Sequence, residues 1–379
     1  MIVTSARLQS RKEDFMRKKT VAVILIGMMI VSVLSGCGSG SKKNSQKTVE
    51  DTVTTGTEIK QQQTELQTET QIAAEKNSEM ETVSLDTGKD EKKEDENMVT
   101  TATAFDLEKG TVQLNSGYEM PILGIGTFQL SNSQAEDSVY WALRDGYRLI
   151  DTARIYGNEE GVGRGIQRAI DEGFVKREEI FVTTKMWTAD FDNGDAAIDA
   201  SLKRLNLEYI DLMILHHSQP SNDVEAYQAM ERAVADGKLR SIGLSNFYTG
   251  ADFDRLVNQT TIVPALLQNE THPYHQSKEM KEHLAQYGTV MESWFPLGGR
   301  GNTQTLFNDA TISALAKAHG KSSAQIILRW HLQAGNIAIP GSSNEKHIQE
   351  NYEIFDFELS EDEMAQMTAL NKNERFTDY

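Results

Sequence analysis

The chain reads Tyr147-Arg-Leu-Ile-Asp-Thr-Ala-Arg-Ile-Tyr-Gly-Asn-Glu159 through one short apolar run and the turn that follows it. Three further stretches have the same form, an apolar run that ends in polar or ionisable residues: Phe181-Val-Thr-Thr-Lys-Met-Trp187, Ile210-Asp-Leu-Met-Ile-Leu-His-His217 and Ser241-Ile-Gly-Leu-Ser-Asn-Phe247. Ionisable groups at the edge of a hydrophobic interior cost free energy unless they are paired or used. Because parallel barrels build their active sites at the carboxyl ends of the strands, we expect these residues to converge on one site.

Strand-like and helix-like periodicities alternate on both sides of these stretches. The strand-like runs are Ile122–Thr127, Arg148–Thr152, Ile180–Thr184, Ile210–Leu215, Ser241–Leu244, Ala265–Gln268, Thr289–Ser293 and Ile337–Pro340. The helix-like segments between them include Gln134–Asp145, Gly161–Glu172, Asp195–Arg204, Asp223–Asp236, Ser277–Tyr287 and Thr311–His319. Eight such strands predict a single (β/α)8 TIM barrel, with a doubly wound sheet as the alternative. A short hairpin at residues 111–121, with Asn-Ser-Gly as its turn, precedes the barrel.

The first 104 residues have a different character from the rest of the 379-residue chain. Met16-Arg-Lys-Lys19 and the apolar run from Thr20 to Leu34 form a signal-peptide pattern that ends in Leu34-Ser-Gly-Cys37. This ending resembles the bacterial lipobox, which predicts lipidation of Cys37, the single cysteine of the chain. Residues 38–104 lack Phe, Tyr and Trp and predict a disordered acidic and polar linker. The predicted domains are therefore a signal segment (1–37), this linker (38–104) and the barrel (105–379).

Charge and glycine patterns exclude several classes of function. The net charge of -18, without a basic stripe, argues against nucleic acid as a partner. No complete Gly-x-Gly-x-x-Gly follows a strand, so a dinucleotide would bind without a Rossmann turn. The histidine pairs His216-His217 and His272-Pro-Tyr-His275 lack a carboxylate or cysteine at ligand spacing, so we predict no metal.

From about Thr111 to the C-terminus the chain resembles the aldo-keto reductase superfamily. The matching motifs, in order, are Met-Pro-Ile-Leu-Gly-Ile-Gly-Thr (120–127), Gly-Tyr-Arg-Leu-Ile-Asp-Thr-Ala-Arg-Ile-Tyr-Gly-Asn-Glu-Glu-Gly-Val-Gly (146–163), Val-Thr-Thr-Lys-Met-Trp (182–187), Tyr-Ile-Asp-Leu-Met-Ile-Leu-His (209–216), Ile-Gly-Leu-Ser-Asn-Phe (242–247), Gln-Asn-Glu-Thr-His-Pro-Tyr (268–274), Ser-Trp-Phe-Pro-Leu-Gly (293–298) and Ile-Pro-Gly-Ser-Ser-Asn (339–344). The resemblance implies NAD(P)H-dependent reduction of a small aldehyde or ketone by hydride transfer.

The resemblance also implies a catalytic tetrad of Asp151, Tyr156, Lys185 and His216, whose chemistry follows from the residue types. Tyr156 can serve as general acid only if the pKa of its phenol is lowered from about 10, and the buried Lys185 ammonium is expected to lower it. Lys185 needs Asp151, since an unpaired buried ammonium would lose its proton. His216 orients the substrate carbonyl by a hydrogen bond, and Trp187 is expected to contact the substrate as well.

The family pattern assigns a second set of residues to the cofactor. Trp294 would stack on the nicotinamide, Ser245, Asn246 and Gln268 would bind its carboxamide, and Ser342 and Asn351 would lie near the adenosine. The remaining expected cofactor contacts are Thr127, Pro296, Leu297 and His347. Gly341 and His347 replace a lysine and an arginine that normally pair with the 2′-phosphate of NADPH. We therefore expect NADP(H), with NAD(H) as an open alternative.

The sequence leaves the setting of the reaction open. The lipobox predicts a lipid anchor on the outer face of a bacterial cell membrane, whereas a start codon farther downstream would give a cytoplasmic enzyme. We expect the protein to be a monomer. Reduced nicotinamide is scarce outside a cell, which favours a second alternative, a catalytically idle lipid-anchored barrel that acts as a binding or channel-associated subunit. An intact tetrad argues against that alternative, because an unused buried Lys-Asp pair contributes little stability.

Overall fold

The computed structural model describes residues 105–378, so the predicted signal segment, the linker and Cys37 lie outside the described residues. A small antiparallel sheet begins this part of the chain, with β1 (Phe105–Asp106), β2 (Thr111–Gln113) and β3 (Glu119–Pro121) in the order β1-β2-β3. The predicted hairpin is confirmed and carries one strand more than expected. Ser116 Oγ lies 2.7 Å from Ser241 Oγ near the start of a barrel strand, so the sheet covers the amino-terminal end of the barrel.

Eight parallel strands form the barrel, in agreement with the predicted fold. They are β4 (Gly124–Gly126), β5 (Leu149–Asp151), β6 (Phe181–Met186), β7 (Ile210–Leu215), β8 (Leu239–Ser245), β9 (Leu266–Glu270), β10 (Val290–Trp294) and β11 (Asn336–Ala338). Each strand pairs with its neighbour in chain order. Bridges from Leu123 to Ala338 and from Gly126 to Gly341 bring the last strand back to the first.

Helices surround the barrel and close its ends. They are α1 (Asn132–Arg144), α2 (Glu159–Asp171), α3 (Gly194–Leu205), α4 (Asp223–Ala235), α5 (Gly250–Val257), α6 (Lys278–Ala285), α7 (Thr303–Phe307), α8 (Ala310–His319), α9 (Ser323–Gln333), α10 (Glu345–Tyr352) and α11 (Glu361–Thr368). Local sequence sets several of their starts: Ser131 with Gln134, Ser322 with Gln325 and Ser360 with Glu363 form capping boxes. In the described part of the chain, no helix is long and apolar enough to span a bilayer.

The strands are buried on both faces, which explains their nearly continuous apolar sequences. Every residue of β5, β6, β7 and β9 is buried. Among the buried polar side chains of the strands, four are at most 2% exposed and are joined to each other by hydrogen bonds: Asp151, Lys185, Gln268 and Glu292. Buried polar groups need partners, and the contacts of these four define the site.

Candidate active site

The four residues of the predicted tetrad meet at the carboxyl end of the barrel. Asp151 is the last residue of β5, Lys185 lies near the end of β6, and His216 directly follows β7. Tyr156 ends a short 3₁₀ helix, Arg154–Tyr156, which begins three residues after β5. Parallel strands that end at one rim thus collect side chains from distant parts of the sequence.

Lys185 and Asp151 form an ion pair in the barrel interior. Lys185 Nζ donates to Asp151 Oδ1 at 2.6 Å, to Oδ2 at 2.7 Å and to the Thr152 carbonyl oxygen at 2.8 Å. Burial lowers the pKa of Lys185, but the charges of Asp151 and Tyr156 outweigh this effect and the net shift is upward. The lysine therefore stays charged although its side chain is fully buried.

The Tyr156 phenol differs from the sequence-based prediction in its acidity. Lys185 Nζ lies 5.0 Å from the centre of the Tyr156 ring and lowers the pKa of the phenol, as expected. Burial acts in the opposite direction and is the larger effect, so the pKa of Tyr156 rises to about 12. The prediction of an acidified phenol is therefore wrong, because it counted the nearby charge and not the desolvation of the phenolate.

His216 is a neutral imidazole held between aromatic rings. Burial, followed by the charges of Lys185 and His217, lowers its pKa to about 2. The ring stacks on His217 at 5.2 Å and meets Trp187 and Tyr156 edge-on at 5.2 Å and 5.7 Å. Its Nδ1 atom has no hydrogen-bond partner among residues 105–378. A neutral imidazole offers one donor and one acceptor, which suits the orientation of a carbonyl group.

A cavity of about 920 Å³ opens above these residues. Its lining includes most of the predicted site: Asp151, Tyr156, Trp187, His216, Ser245, Asn246, Gln268, Trp294, Pro296, Leu297, Gly341, Ser342, His347 and Asn351. Two predicted residues lie behind the wall. Lys185 reaches Asp151 from below, and Thr127 is fully buried with its hydroxyl donating to the Asp151 carbonyl oxygen at 3.0 Å. Thr127 thus supports the backbone of the tetrad from outside the cavity.

Hydrogen bonds connect the polar residues of the cavity wall to each other. Asn246, with a left-handed backbone (φ 59°), donates from Nδ2 to the His216 carbonyl oxygen at 2.8 Å and to Ser245 Oγ at 3.2 Å. Its Oδ1 accepts from Trp294 Nε1 at 3.2 Å and from the Tyr248 hydroxyl at 2.8 Å. These bonds fix the orientation of the Trp294 ring, which is the flat face expected for a nicotinamide.

Some of the polar residues that line the cavity suit an anion. Ser322 and Asn344, the N-cap residues of α9 and α10, both line the cavity, and Arg300 is the single Lys or Arg among the described lining residues. Helix N-termini and an arginine together favour phosphate groups. Gly341 has a structural reason to lack a side chain, since a Cβ there would lie 2.9 Å from the Gly126 carbonyl oxygen.

Glu292 belongs to the site but is absent from the sequence-based prediction. The Gln268 amide nitrogen donates to Asp151 Oδ2 at 2.9 Å and to Glu292 Oε2 at 2.7 Å, so one amide group joins two buried carboxyl groups. Burial and the charge of Asp151 raise the pKa of Glu292 to about 8. The sequence signal that could have identified Glu292 is the presence of an acidic residue within the apolar run of β10.

The C-terminal tail (residues 371–378) is a second feature that the sequence did not reveal. Buried Glu270 accepts hydrogen bonds from the Phe376 backbone N–H at 2.5 Å and from the Thr377 hydroxyl at 2.6 Å. The Phe376 ring stacks on His272 at 4.2 Å. The Arg375 guanidinium lies 3.8 Å from the centre of the Tyr248 ring, and the Tyr248 hydroxyl bonds to Asn246 in the cavity wall.

The histidine pairs are explained by contacts other than metal binding. Contrary to the premise of the prediction, His272 does have a carboxylate at close spacing, since its Nε2 lies 3.1 Å from Glu270 Oε1. That carboxylate is also the acceptor for the C-terminal tail. Within residues 105–378, no three His, Cys, Asp or Glu side chains are grouped as metal ligands.

Comparisons with known proteins agree with this geometry. Residues 109–372 match the model of the aldo/keto reductase family. Glyoxal reductase from Bacillus subtilis is 42% identical over 270 residues, which cover 70% of this chain and 95% of that protein. NAD(P)H-dependent D-xylose reductase I,II from Candida tropicalis is 38% identical over 306 residues, with coverage of 71% and 94%. The crystal structure of a Bombyx mori aldo-keto reductase in complex with NADP superposes with a TM-score of 0.66, at 38% identity and coverage of 71% and 94%.

Proposed function

This chain belongs to the aldo/keto reductase family and is an oxidoreductase, and from that premise we propose that it reduces a small aldehyde or ketone with NADPH, using Tyr156 as the proton donor. The observation that carries the proposal is the convergence of Asp151, Lys185, Tyr156 and His216 on one cavity wall or directly behind it. The relatives named for glyoxal and D-xylose reduction support a small carbonyl compound as the substrate.

The cavity has the features that a nicotinamide dinucleotide requires. Trp294 offers a flat ring fixed by Asn246, and the polar wall of Ser245, Asn246 and Gln268 lies beside it. The lining also contains groups that favour phosphate, namely Arg300 and two helix N-termini. When bound, the reduced nicotinamide supplies the hydride.

Tyr156 is suited to give a proton to the developing alkoxide. A pKa near 12 keeps the phenol protonated at every physiological pH, so the donor is always loaded. The charged Lys185, 5.0 Å from the ring centre, stabilises the phenolate that forms as the proton leaves. Asp151 keeps that lysine charged, and thus acts on Tyr156 through Lys185.

His216 and the aromatic residues at the cavity mouth orient the substrate. The neutral His216 ring lies 5.7 Å from the Tyr156 ring, so both side chains can hydrogen-bond to the same carbonyl oxygen. The mouth is apolar, with Phe128 and Ile155 exposed and Trp187 and Phe295 also in the lining. Such a surface favours uncharged carbonyl compounds.

Replacing Tyr156 by phenylalanine tests the proposal. The variant keeps the ring but removes the phenol proton, so the turnover number for carbonyl reduction should fall by about a hundredfold or more, with unchanged cofactor affinity. Tyr140→Phe is the matched control, since the Tyr140 hydroxyl bonds to Glu172 on the outside of the barrel. Near-wild-type turnover in Tyr156→Phe would refute the assignment of the proton donor, whereas a wild-type protein that reduces no carbonyl compound would favour an idle barrel.

We also propose that NADPH is preferred over NADH by only a small margin. Gly341 and His347 stand where the family carries a lysine and an arginine, which leaves Arg300 and the exposed His347 as cation candidates in the lining. Parallel binding titrations with NADPH and NADH test this margin.

We further propose that the chain is a monomeric lipoprotein anchored through Cys37 on the outer face of the cell membrane. The support is the sequence pattern Leu34-Ser-Gly-Cys37 after a basic and apolar segment. Cys37→Ala should move the protein from the membrane fraction to the soluble fraction, whereas Ser39→Ala should not. Membrane association that survives Cys37→Ala after signal cleavage would contradict the anchor, and recovery of the wild-type protein in the cytoplasm would favour a downstream start. The sedimentation coefficient of the barrel, residues 105–379, tests whether the protein is a monomer.

A further inference from the structure

Glu292 carries a buried carboxyl group that the proposed reaction does not use. It lies in the middle of β10, opposite Gln268 on β9, and its side chain is fully buried. Its Oε2 accepts from the Gln268 amide nitrogen at 2.7 Å, whereas its Oε1 has no partner among the described residues. A buried polar atom without a partner costs free energy, so its retention calls for a functional reason.

The charge of Glu292 differs from that of its neighbour Asp151. Asp151 is paired with Lys185 through both carboxylate oxygens, which makes that pair neutral overall. Glu292 forms no ion pair with any described residue, so an ionised Glu292 would add one uncompensated negative charge to the interior. Burial and the charge of Asp151 accordingly hold its pKa at about 8, where the carboxyl group is mostly protonated at neutral pH.

Glu292 lies one hydrogen bond behind the wall proposed for the nicotinamide. Gln268, its hydrogen-bond partner, lines the cavity, and Trp294 follows two residues later on the same strand. The oxidised nicotinamide ring carries a positive charge and the reduced ring is neutral. A negative charge at Glu292 would therefore attract the oxidised ring and leave the reduced ring almost unaffected.

We propose that Glu292 sets the relative affinity of the site for oxidised and reduced nicotinamide, by releasing its proton when the oxidised form binds. The inference rests on the proposed nicotinamide function. It adds to that function a residue that acts on the cofactor through its charge, without touching the substrate. With Glu292 protonated the site favours the reduced cofactor, and with Glu292 ionised it favours the oxidised cofactor.

Two titratable groups near Glu292 also have shifted pKa values: burial raises the pKa of Asp151, and burial lowers the pKa of Lys281, on the neighbouring α6, to about 8, so the Glu292→Gln variant is needed to separate Glu292 from both. The remaining groups do not change charge in the same pH range. On the facing elements, the pKa of Tyr156 is raised to about 12 and that of His216 is lowered to about 2, while Lys185 stays protonated beside Asp151. Behind β10, burial holds the pKa of His331 at about 3. Farther along β9, Glu270 has a pKa of about 2 because of its hydrogen bonds to His272, Thr377 and Phe376, which outweigh burial.

Proton release on cofactor binding tests the inference without an activity assay. Calorimetry in buffers of different ionisation enthalpy should show that the wild-type protein releases about half a proton on binding oxidised cofactor near pH 7.5, and almost none on binding the reduced form. The ratio of oxidised to reduced affinity should rise about tenfold between pH 6.5 and pH 9. The 2′-phosphate is common to both forms and cancels in this ratio.

Three variants separate Glu292 from other sources of the proton. Glu292→Gln keeps the size of the side chain and should abolish both the release and the pH dependence of the ratio. Tyr156→Phe should retain both, as should Glu159→Gln, which changes a buried carboxyl group that pairs with Arg204 outside the cavity. Unchanged proton release in Glu292→Gln, or its loss in Tyr156→Phe, would overturn the inference.

Infrared difference spectroscopy of the wild-type protein gives a second measurement that does not depend on a folded variant. Near pH 7.5 the C=O stretch of a protonated carboxylic acid should lose about half of its intensity or more when oxidised cofactor binds, and should persist when reduced cofactor binds. Persistence in both complexes would also overturn the inference. If neither cofactor binds at all, the proposed function fails, which is a distinguishable result.

Discussion

Gly341 shows how one residue can serve the fold at the expense of a ligand contact. Its backbone bridges to Gly126, and the space where a Cβ would be placed is 2.9 Å from the Gly126 carbonyl oxygen. Real Cβ atoms do not approach a backbone atom so closely, so a lysine at this position would displace the contact between the first and last strands. Restoring the cation of the family pattern is therefore better attempted at His347.

His347→Arg should strengthen the preference for NADPH. His347 is exposed and lines the cavity, so an arginine can extend there without a clash. One added charge-assisted hydrogen bond to a phosphate should raise the NADPH-to-NADH preference by about 1–2 kcal/mol, measured by parallel binding titrations. Lys346→Arg, which preserves charge just outside the lining, is the control. An unchanged preference would place the 2′-phosphate elsewhere.

Glu292 should also leave a signature in the pH dependence of stability. Its folded-state pKa of about 8 lies above the usual 4.5, so the folded protein retains a proton that the unfolded chain loses. The stability associated with that proton is complete below about pH 4.5 and is lost as the pH rises to about 8. Relative to wild type, Glu292→Gln should therefore gain about 1.4 kcal/mol per pH unit in this range, measured by denaturant unfolding. A difference independent of pH would show that Glu292 is ionised throughout.

At the scale of elements, the C-terminal tail is held by a buried carboxylate. Thr377→Val removes the 2.6 Å hydrogen bond to Glu270 and should destabilise the protein by about 1–2 kcal/mol at pH 7, measured by denaturant unfolding. The hydrogen bonds that hold the pKa of Glu270 at about 2 give stability above pH 4.5 that is lost as the pH falls towards 2, so the effect should shrink in acid. Thr368→Val is the control, because Thr368 bonds only within α11. Equal losses in both variants would contradict a specific role for the tail.

Sequence periodicity predicts the barrel strands well, and each of these strands pairs with the next one in the chain. All eight strands lie within the predicted runs or overlap them, because a strand buried on both faces is apolar along its whole length. Helices α5, α7, α9, α10 and α11 lie outside the predicted segments. In α9 the buried Arg329 and His331 interrupt the apolar pattern, although Ser322 and Gln325 already form a recognisable cap.

The sequence predicted which residues line the site, but it did not predict their pKa shifts or their long-range contacts. Motif order identified the tetrad, but the net pKa shift of Tyr156 depends on desolvation, which requires the depth of the cavity. The pair formed by Gln268 and Glu292 depends on the register between β9 and β10. The link from Arg375 through Tyr248 to Asn246 joins residues far apart in the chain, and no local pattern reports such a contact.

For the whole molecule, a chain of residues 105–379 should fold as an independent barrel. The small sheet β1 to β3 starts at Phe105, and its residues Val112 and Met120 are buried in the core. We expect this chain to melt at the same temperature as the full-length protein, whereas a chain that begins at residue 115 should melt lower, because it loses β1 and β2. Calorimetry of the three proteins checks this. A lower melting temperature for residues 105–379 would place the domain boundary earlier.

Protein synthesis runs from the N-terminus, so the contacts of the C-terminal tail form after the barrel strands have been made. The bridge to Gly341 closes the barrel wall, and residues 375–377 then secure Glu270 and Tyr248 beside the cavity. Synthesis delivers the eight barrel strands before residues 375–377, so the early strands can pair before the contacts of the tail secure the site. Removing residues 375–377 would therefore leave the barrel strands complete and take away the contacts to Glu270 and Tyr248.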